Sequence, residues 1–226
     1  MKIFVAIPCH ATAHAWFVES LAQMISRSVA TGLNGKTLMI NTQVHLSSDL
    51  SKSRNLLMRD AIASGADRML WLDSDHVFPN WALLRLLSID LAVIGITQPT
   101  RSASPLPTAF QADGTRVYTT PDMVRDKIVE QVAVIGFGIC LIDLGIVPQL
   151  EAQAAAEGRA LYPLFDRTMT DDPERSDGED TYFCRRLQAA GIPVHVDHLL
   201  SWETKHIAQI PVGMGDALRS RPVGGA

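Results

Sequence analysis

Apolar residues along this chain alternate between two rhythms. Ile3, Val5 and Ile7 recur at every second position and predict a strand that breaks at Pro8. Trp16, Phe17, Leu21, Met24, Ile25 and Val29 then recur at helical spacing. Asn34 and Gly35 mark a turn before a β-prone segment at 36–44, and a polar loop, HLSSDLSKSRN, leads to a helix near 56–63. Residues 68–72 read as a short buried strand ending at Asp73, Ser74 and Asp75. Pro79 and Asn80 open a Leu-rich helix, and 91–96 reads as a further strand. Strands alternating with helices predict a mostly parallel sheet covered on both faces, with ligands beyond the carboxyl ends of its strands.

The second half is less regular. Strands are expected at 108–118 and 130–143, an Ala-rich helix at 149–157, and a helix opened by Glu179 and Asp180 in which Phe183, Leu187 and Ala190 recur about once per turn. The polar, proline-containing stretch at 161–178 has the composition of a mobile surface loop able to close over a ligand. The length of 226 residues predicts one domain over 1–210, with a flexible tail at 211–226.

Composition narrows the function classes. Hydrophobic residues make up 47% and charged residues 19%, the usage of an ordinary globular core. With 20 basic and 24 acidic residues the formal charge is −4, which argues against a broad nucleic-acid or membrane footprint. No apolar run approaches the roughly 18 residues of a membrane span. Three cysteines without a CxxC pair indicate neither a disulfide framework nor a cysteine–zinc site, and a cytoplasmic location is expected.

The chemistry concentrates at Asp73 and Asp75. Extended spacing puts both carboxylates on one side, where their repulsion is relieved most simply by a divalent cation. Oxygen ligands favour a hard ion, Mn²⁺ or Mg²⁺, that completes its shell with water and phosphate. The same tripeptide also suits a turn that caps the next helix. Glu179 and Asp180 have two readings as well, as partners of a helix dipole or as a general base with a hydroxyl-binding neighbour. His10 and His14 have the spacing of a zinc pair, but lack the acidic residue and third partner of such a motif.

The stretch SRNLLMRDAIASGADRMLWLDSDHVFPNWALLRLL resembles the core of a GT-A-fold glycosyltransferase, similar to family 2 and its relatives. SDGEDTYFCRRLQAAGIPVHVDHLLSWETKH resembles the same family's Glu-Asp helix, following strand and late histidine. The resemblance implies an α/β, GT-A-like (Rossmann-like) mixed sheet and a metal-dependent transfer of a sugar from a nucleoside diphosphate sugar to an acceptor hydroxyl. It further implies that Asp75 and His206 hold Mn²⁺ or Mg²⁺, with Asp73 beside the metal on the sugar or ribose side of the donor. Ile7, Pro8, Cys9 and His10 would hold the nucleotide, with Ser74, Arg54 and Asn55 close by. Gly138 would border the donor sugar, Asp180 would serve as base, and Glu179 would bind hydroxyls. From the residues alone Arg54 also fits a solvated helix position, and Glu179 and Asp180 are interchangeable. His76, next to the acidic tripeptide, is a candidate to support the ligands from behind. The acceptor is open: a small molecule, glycan, protein or modified nucleic-acid base. Rival readings are a sugar nucleotidylyltransferase, a phosphohydrolase, and a non-catalytic nucleotide-sugar or glycan-binding domain of the same fold.

Overall fold

The computed structural model describes residues 1–102, 104–168 and 177–208. Seven strands form one sheet: β1 (Lys2–Cys9), β2 (Met39–Leu46), β3 (Arg68–Leu72), β5 (Val93–Gly95), β6 (Val129–Val132), β7 (Ile139–Asp143) and β8 (Val194–Asp197). Their order is β2-β1-β3-β7-β5-β8-β6. β1, β2, β3, β5 and β8 run one way, while β7 and β6 run against them. A separate two-stranded ribbon pairs β4 (His76–Val77) with β9 (Lys205–His206). This is the α/β, mostly parallel mixed sheet flanked by helices that the sequence leads one to expect.

Alternation along β1 divides the core. Phe4 and Ala6 face one side, together with Met69 and Trp71 of β3, and are covered by α2 (Leu50–Ala63), α5 (Val147–Ala156) and α6 (Glu179–Ala189). Ile3, Val5 and Ile7 face the other, with Leu70 and Leu72, beneath α1 (Ala15–Thr31) and α3 (Ala82–Ile89). Two short helices complete the set, α4 (Pro121–Arg125) and α7 (His198–Glu203). Among the described residues no helix is long and apolar enough to cross a membrane.

Several expectations change. β1 continues through Pro8 to Cys9. The carbonyl of Lys2 faces β3 and that of Cys9 faces β2, so alternation directs Pro8 toward β3, where pairing stops at Ala6 with Trp71. The missing N–H therefore costs no ladder bond. α2 begins at Leu50, inside the expected polar loop, because the Asp49 side chain accepts the Lys52 N–H at 2.9 Å as an N-cap. Residues 108–118 form isolated bridges, not a strand, and 130–143 divides into β6 and β7 at Gly136 and Gly138. The expected loop at 161–178 enters the core at its start: Leu164 and Phe165 are fully buried, and Phe165 lies against Trp71, Phe137 and Phe183. Its remainder at 169–176, and the expected tail at 211–226, lie outside the described residues.

Candidate functional site

Arg54, Leu57, Met58 and Ala61 share the buried face of α2, so packing the helix on the sheet forces a guanidinium into the interior, where it is 1% exposed. A buried charge is tolerated only when it is paired. Three carboxylates converge on it: Asp73 from the end of β3 at 3.3 Å, Asp180 at 3.2 Å and Glu179 at 3.9 Å, the last two from the first turn of α6. The guanidinium carbon also sits 5.3 Å from the Trp71 ring centre and 5.8 Å from that of Phe137. Burial lowers the affinity of Arg54 for its proton, yet Asp180, Asp73 and Glu179 together raise its pKa above the ordinary value.

The carboxylates respond differently. Burial raises Asp73, and Arg54 only partly offsets this. Burial pushes Asp180 up to about 6 against the pull of Arg54, and Glu179 adds to the rise. Asp180 Oδ2 accepts the Phe137 N–H at 2.9 Å, while Oδ1 has no hydrogen-bond partner among the described residues. Oδ1 is the oxygen that faces Arg54 Nε at 3.2 Å.

A second group lies at the β4–β9 ribbon, whose pairing sets His76 opposite His206. The imidazoles stack at 4.4 Å, and ligand atoms of Asp75, His76 and His206 all fall within 4.8 Å of one another. Asp75 Oδ1 is 3.0 Å from His76 Nδ1, and Asp75 Oδ2 is 3.4 Å from His206 Nε2. Both ring nitrogens of His76 and Asp75 Oδ1 are buried without a hydrogen-bond partner among the described residues. His206 Nδ1 donates to the Pro99 carbonyl at 2.8 Å, which directs Nε2 toward Asp75. Burial alone would raise Asp75, but His206 and His76 hold its carboxyl well below the usual carboxylate range. Burial likewise opposes the rise that Asp75 imposes on His206. Arg101, half exposed, approaches Asp75 Oδ2 at 2.7 Å.

One carboxylate and two imidazoles, with Asp75 Oδ1 and both nitrogens of His76 unsatisfied among the described residues, are a donor set that fits a divalent cation. The mixed oxygen–nitrogen character accommodates Mn²⁺ more readily than Mg²⁺, unlike the oxygen-only set expected from the acidic tripeptide.

The remaining expected residues distribute as follows. Gly138 lies against the site: its carbonyl accepts the Asp73 N–H at 2.9 Å, and a Cβ there would meet Gln98 Oε1 at 2.1 Å and His76 Cε1 at 2.7 Å. Ser74 uses its carbonyl to accept the His14 N–H. Ile7, Pro8 and Cys9 are buried at the carboxyl end of β1 and His10 is exposed at its rim. No described ion pair or side-chain hydrogen bond joins these four to the acidic group. Asn55, expected beside the nucleotide, has its amide engaged elsewhere. Its Oδ1 accepts the N–H groups of Leu164 and Phe165, and its Nδ2 donates to the carbonyls of Ser51 and Phe165.

The sequence placed His76 only behind the ligands and did not single out Arg101, both of which the structure sets beside Asp75. The adjacency of His76 to the acidic tripeptide was a usable signal. Arg101 stands in a proline-rich loop 26 positions beyond Asp75 with no periodicity to mark it.

No protein-family model matches the chain, and no curated protein matches it. Among solved structures, a protein called A197 from STIV is similar over 94% of this chain and 97% of that one, with a TM-score of 0.51 and 12% identity. A mutant of Drosophila β-1,4-galactosyltransferase 7, in complex with manganese, UDP-Gal and xylobiose, has a TM-score of 0.49 at 14% identity, covering 100% of this chain and 76% of that one. S. aureus TarS 1-349 has a TM-score of 0.39 at 15% identity, covering 87% and 57%. The first similarity shows a shared fold and nothing finer.

Proposed function

We propose that the chain is a metal-dependent glycosyltransferase that moves a sugar from a nucleoside diphosphate sugar to an acceptor hydroxyl. The observation that carries this reading is the adjacency of two unlike groups at the carboxyl end of β3: a cation-fitting Asp75, His76 and His206 cluster, and a carboxylate triad around Arg54. A cation alone would serve many reactions. A raised carboxyl beside it supplies the base that a hydroxyl nucleophile needs.

In this reading Asp75, His206 and His76 hold Mn²⁺, which when bound neutralises charge on the diphosphate. Arg101, from the loop beside Asp75, adds positive charge where the leaving group departs. Asp73, fixed by Arg54, orients hydroxyls on the donor side, and Glu179 does so for sugar or acceptor. Asp180 takes the acceptor proton as the acceptor oxygen bonds to the anomeric carbon. The bond from that carbon to the diphosphate oxygen breaks, and the leaving nucleoside diphosphate keeps its electron pair. Asn55 acts at one remove, tying the 164–165 backbone under α2 and so fixing the wall behind Arg54.

The test is product release. Incubation with UDP-, GDP- and CDP-sugars and Mn²⁺ is expected to liberate the nucleoside diphosphate from one of them, by transfer or slow hydrolysis, and Asp75→Asn is expected to abolish release. Binding without release would favour a non-catalytic domain. Pyrophosphate as the product would favour a nucleotidylyltransferase.

A further inference from the structure

Beside the cation cluster the surface carries a groove of about 340 Å³, bounded by the loop that follows β5, by Tyr118 and Thr119, and by α7 with Thr204. That volume lies within the range of about 300 to 1,000 Å³ usual for small-ligand sites. Tyr118 and Trp202 line it and are 56% and 52% exposed. Its other walls are proline rings and the uncharged polar side chains of threonine, serine and glutamine. Among the described residues no Lys, Arg, Asp or Glu lines it.

One polar atom of a lining residue, Thr204 Oγ1, is buried and unsatisfied among the described residues, while Gln98 turns its amide toward Gly138. Buried polar groups are nearly always paired, so the Thr204 hydroxyl keeps unused hydrogen-bonding capacity at the groove wall. The groove therefore offers two aromatic faces, several neutral hydrogen-bonding groups and no charge. Aromatic faces suit the apolar C–H faces of a pyranose, and hydroxyl and amide groups suit its alcohols. An anionic ligand such as a nucleotide, phosphopeptide or acidic lipid would find no counter-charge here.

The groove also adjoins the cation cluster. The carbonyl of Pro99, one of its lining residues, holds His206 at 2.8 Å, and Gln98, another, sets its amide close to the Gly138 backbone.

We infer that this groove binds a neutral oligosaccharide, stacked on Tyr118 and Trp202, and that this glycan is the acceptor. Its role as acceptor rests on the transferase reading above; its binding of a saccharide does not. The acceptor is then an extended sugar chain whose end reaches the cation cluster, not a compact metabolite held at the reacting hydroxyl alone.

The test titrates the full chain, without nucleotide or metal, with tetrasaccharides of the cello, malto, xylo, manno and chito series, followed by calorimetry and ligand-observed NMR. At least one series is expected to bind. Trp202→Ala and Tyr118→Ala are each expected to weaken it about tenfold or more, as for truncation of an aromatic anchor. Both side chains are half exposed, so the variants are expected to melt with the parent. Failure of every series, or equal binding by Trp202→Ala, would overturn the inference. A thermal-shift response to nucleotide and Mn²⁺ on the same samples separates the two claims. Glycan binding without a nucleotide response upholds the groove and removes the transferase; a nucleotide response without glycan binding does the reverse.

Discussion

Replacing Arg54 with methionine fills nearly the same space and removes the only charge that Asp73, Glu179 and Asp180 share among the described contacts. Removing one partner of a buried ion pair costs about 3 to 5 kcal/mol. The low end, about 3 kcal/mol, applies because the Asp73 and Asp180 side chains are 23% and 25% exposed and water can solvate them in part. At about 2 to 4 °C per kcal/mol for a chain of this size, the melting temperature should fall by about 6 to 12 °C. The deficit should also depend on pH in a definite direction. Asp73 and Asp180 already sit above the ordinary aspartate value, and without Arg54 they rise further. A native state that binds protons more tightly than the unfolded chain gains stability as pH falls. The deficit against the parent is therefore greatest near pH 8 and shrinks toward about pH 5, as the unpaired carboxylates protonate. Melting curves by circular dichroism at both pH values are the assay. A variant that melts within about 1 °C of the parent near pH 8, or with the same deficit at both pH values, would refute the claim that Arg54 balances this group.

Other consequences concern chemistry. With Asp180 as base and its carboxyl pushed up to about 6, the rate should be full near neutral pH and decline as pH falls through about 6; Asp180→Asn should lower turnover by about a hundredfold or more and abolish that limb. A parent profile flat down to pH 5 would exclude Asp180 as base. His76→Ala and His206→Ala should each weaken Mn²⁺ binding by about tenfold or more in calorimetry, and His195→Ala should leave it unchanged. Loss in only one of the first two would break up the proposed cluster.

The sequence made some parts of this structure legible and hid others for physical reasons. Strands β1 and β3 were readable as short apolar runs, and helix α6 from the recurrence of Phe183 and Leu187 about once per turn. The start of α2 was obscured by polar residues of LSKSRN, although Asp49 three places before Lys52 is the capping pattern that nucleates it. Leu164 and Phe165 looked like part of a loop because charged neighbours follow them; what places them in the core is the packing of Phe165 on Trp71, Phe137 and Phe183, with their N–H groups bonded to Asn55, more than a hundred positions away. The site divides similarly. Asp73, Asp75, Glu179 and Asp180 stand out by residue type at element ends. The partition between them does not, because it depends on Arg54 being carried inward by its helix face and on the β4–β9 ribbon aligning His76 with His206. Arg54 at a core position of α2 was itself a signal: an arginine in register with Leu57, Met58 and Ala61 has to meet buried carboxylates.

The central claim is that Asp75 anchors a cation through which a nucleoside diphosphate binds. Its most direct test is a thermal-shift series with UDP, GDP, CDP and ADP, with and without Mn²⁺, on the parent and Asp75→Ala. At a hundredfold excess over Kd, native-state binding adds about 2.7 kcal/mol, or about 5 to 11 °C for this chain. The account predicts such a rise for one nucleotide in the parent, only with Mn²⁺, and its loss in Asp75→Ala. A parent that no nucleotide stabilises under any metal condition, or a variant that responds as the parent does, would contradict it.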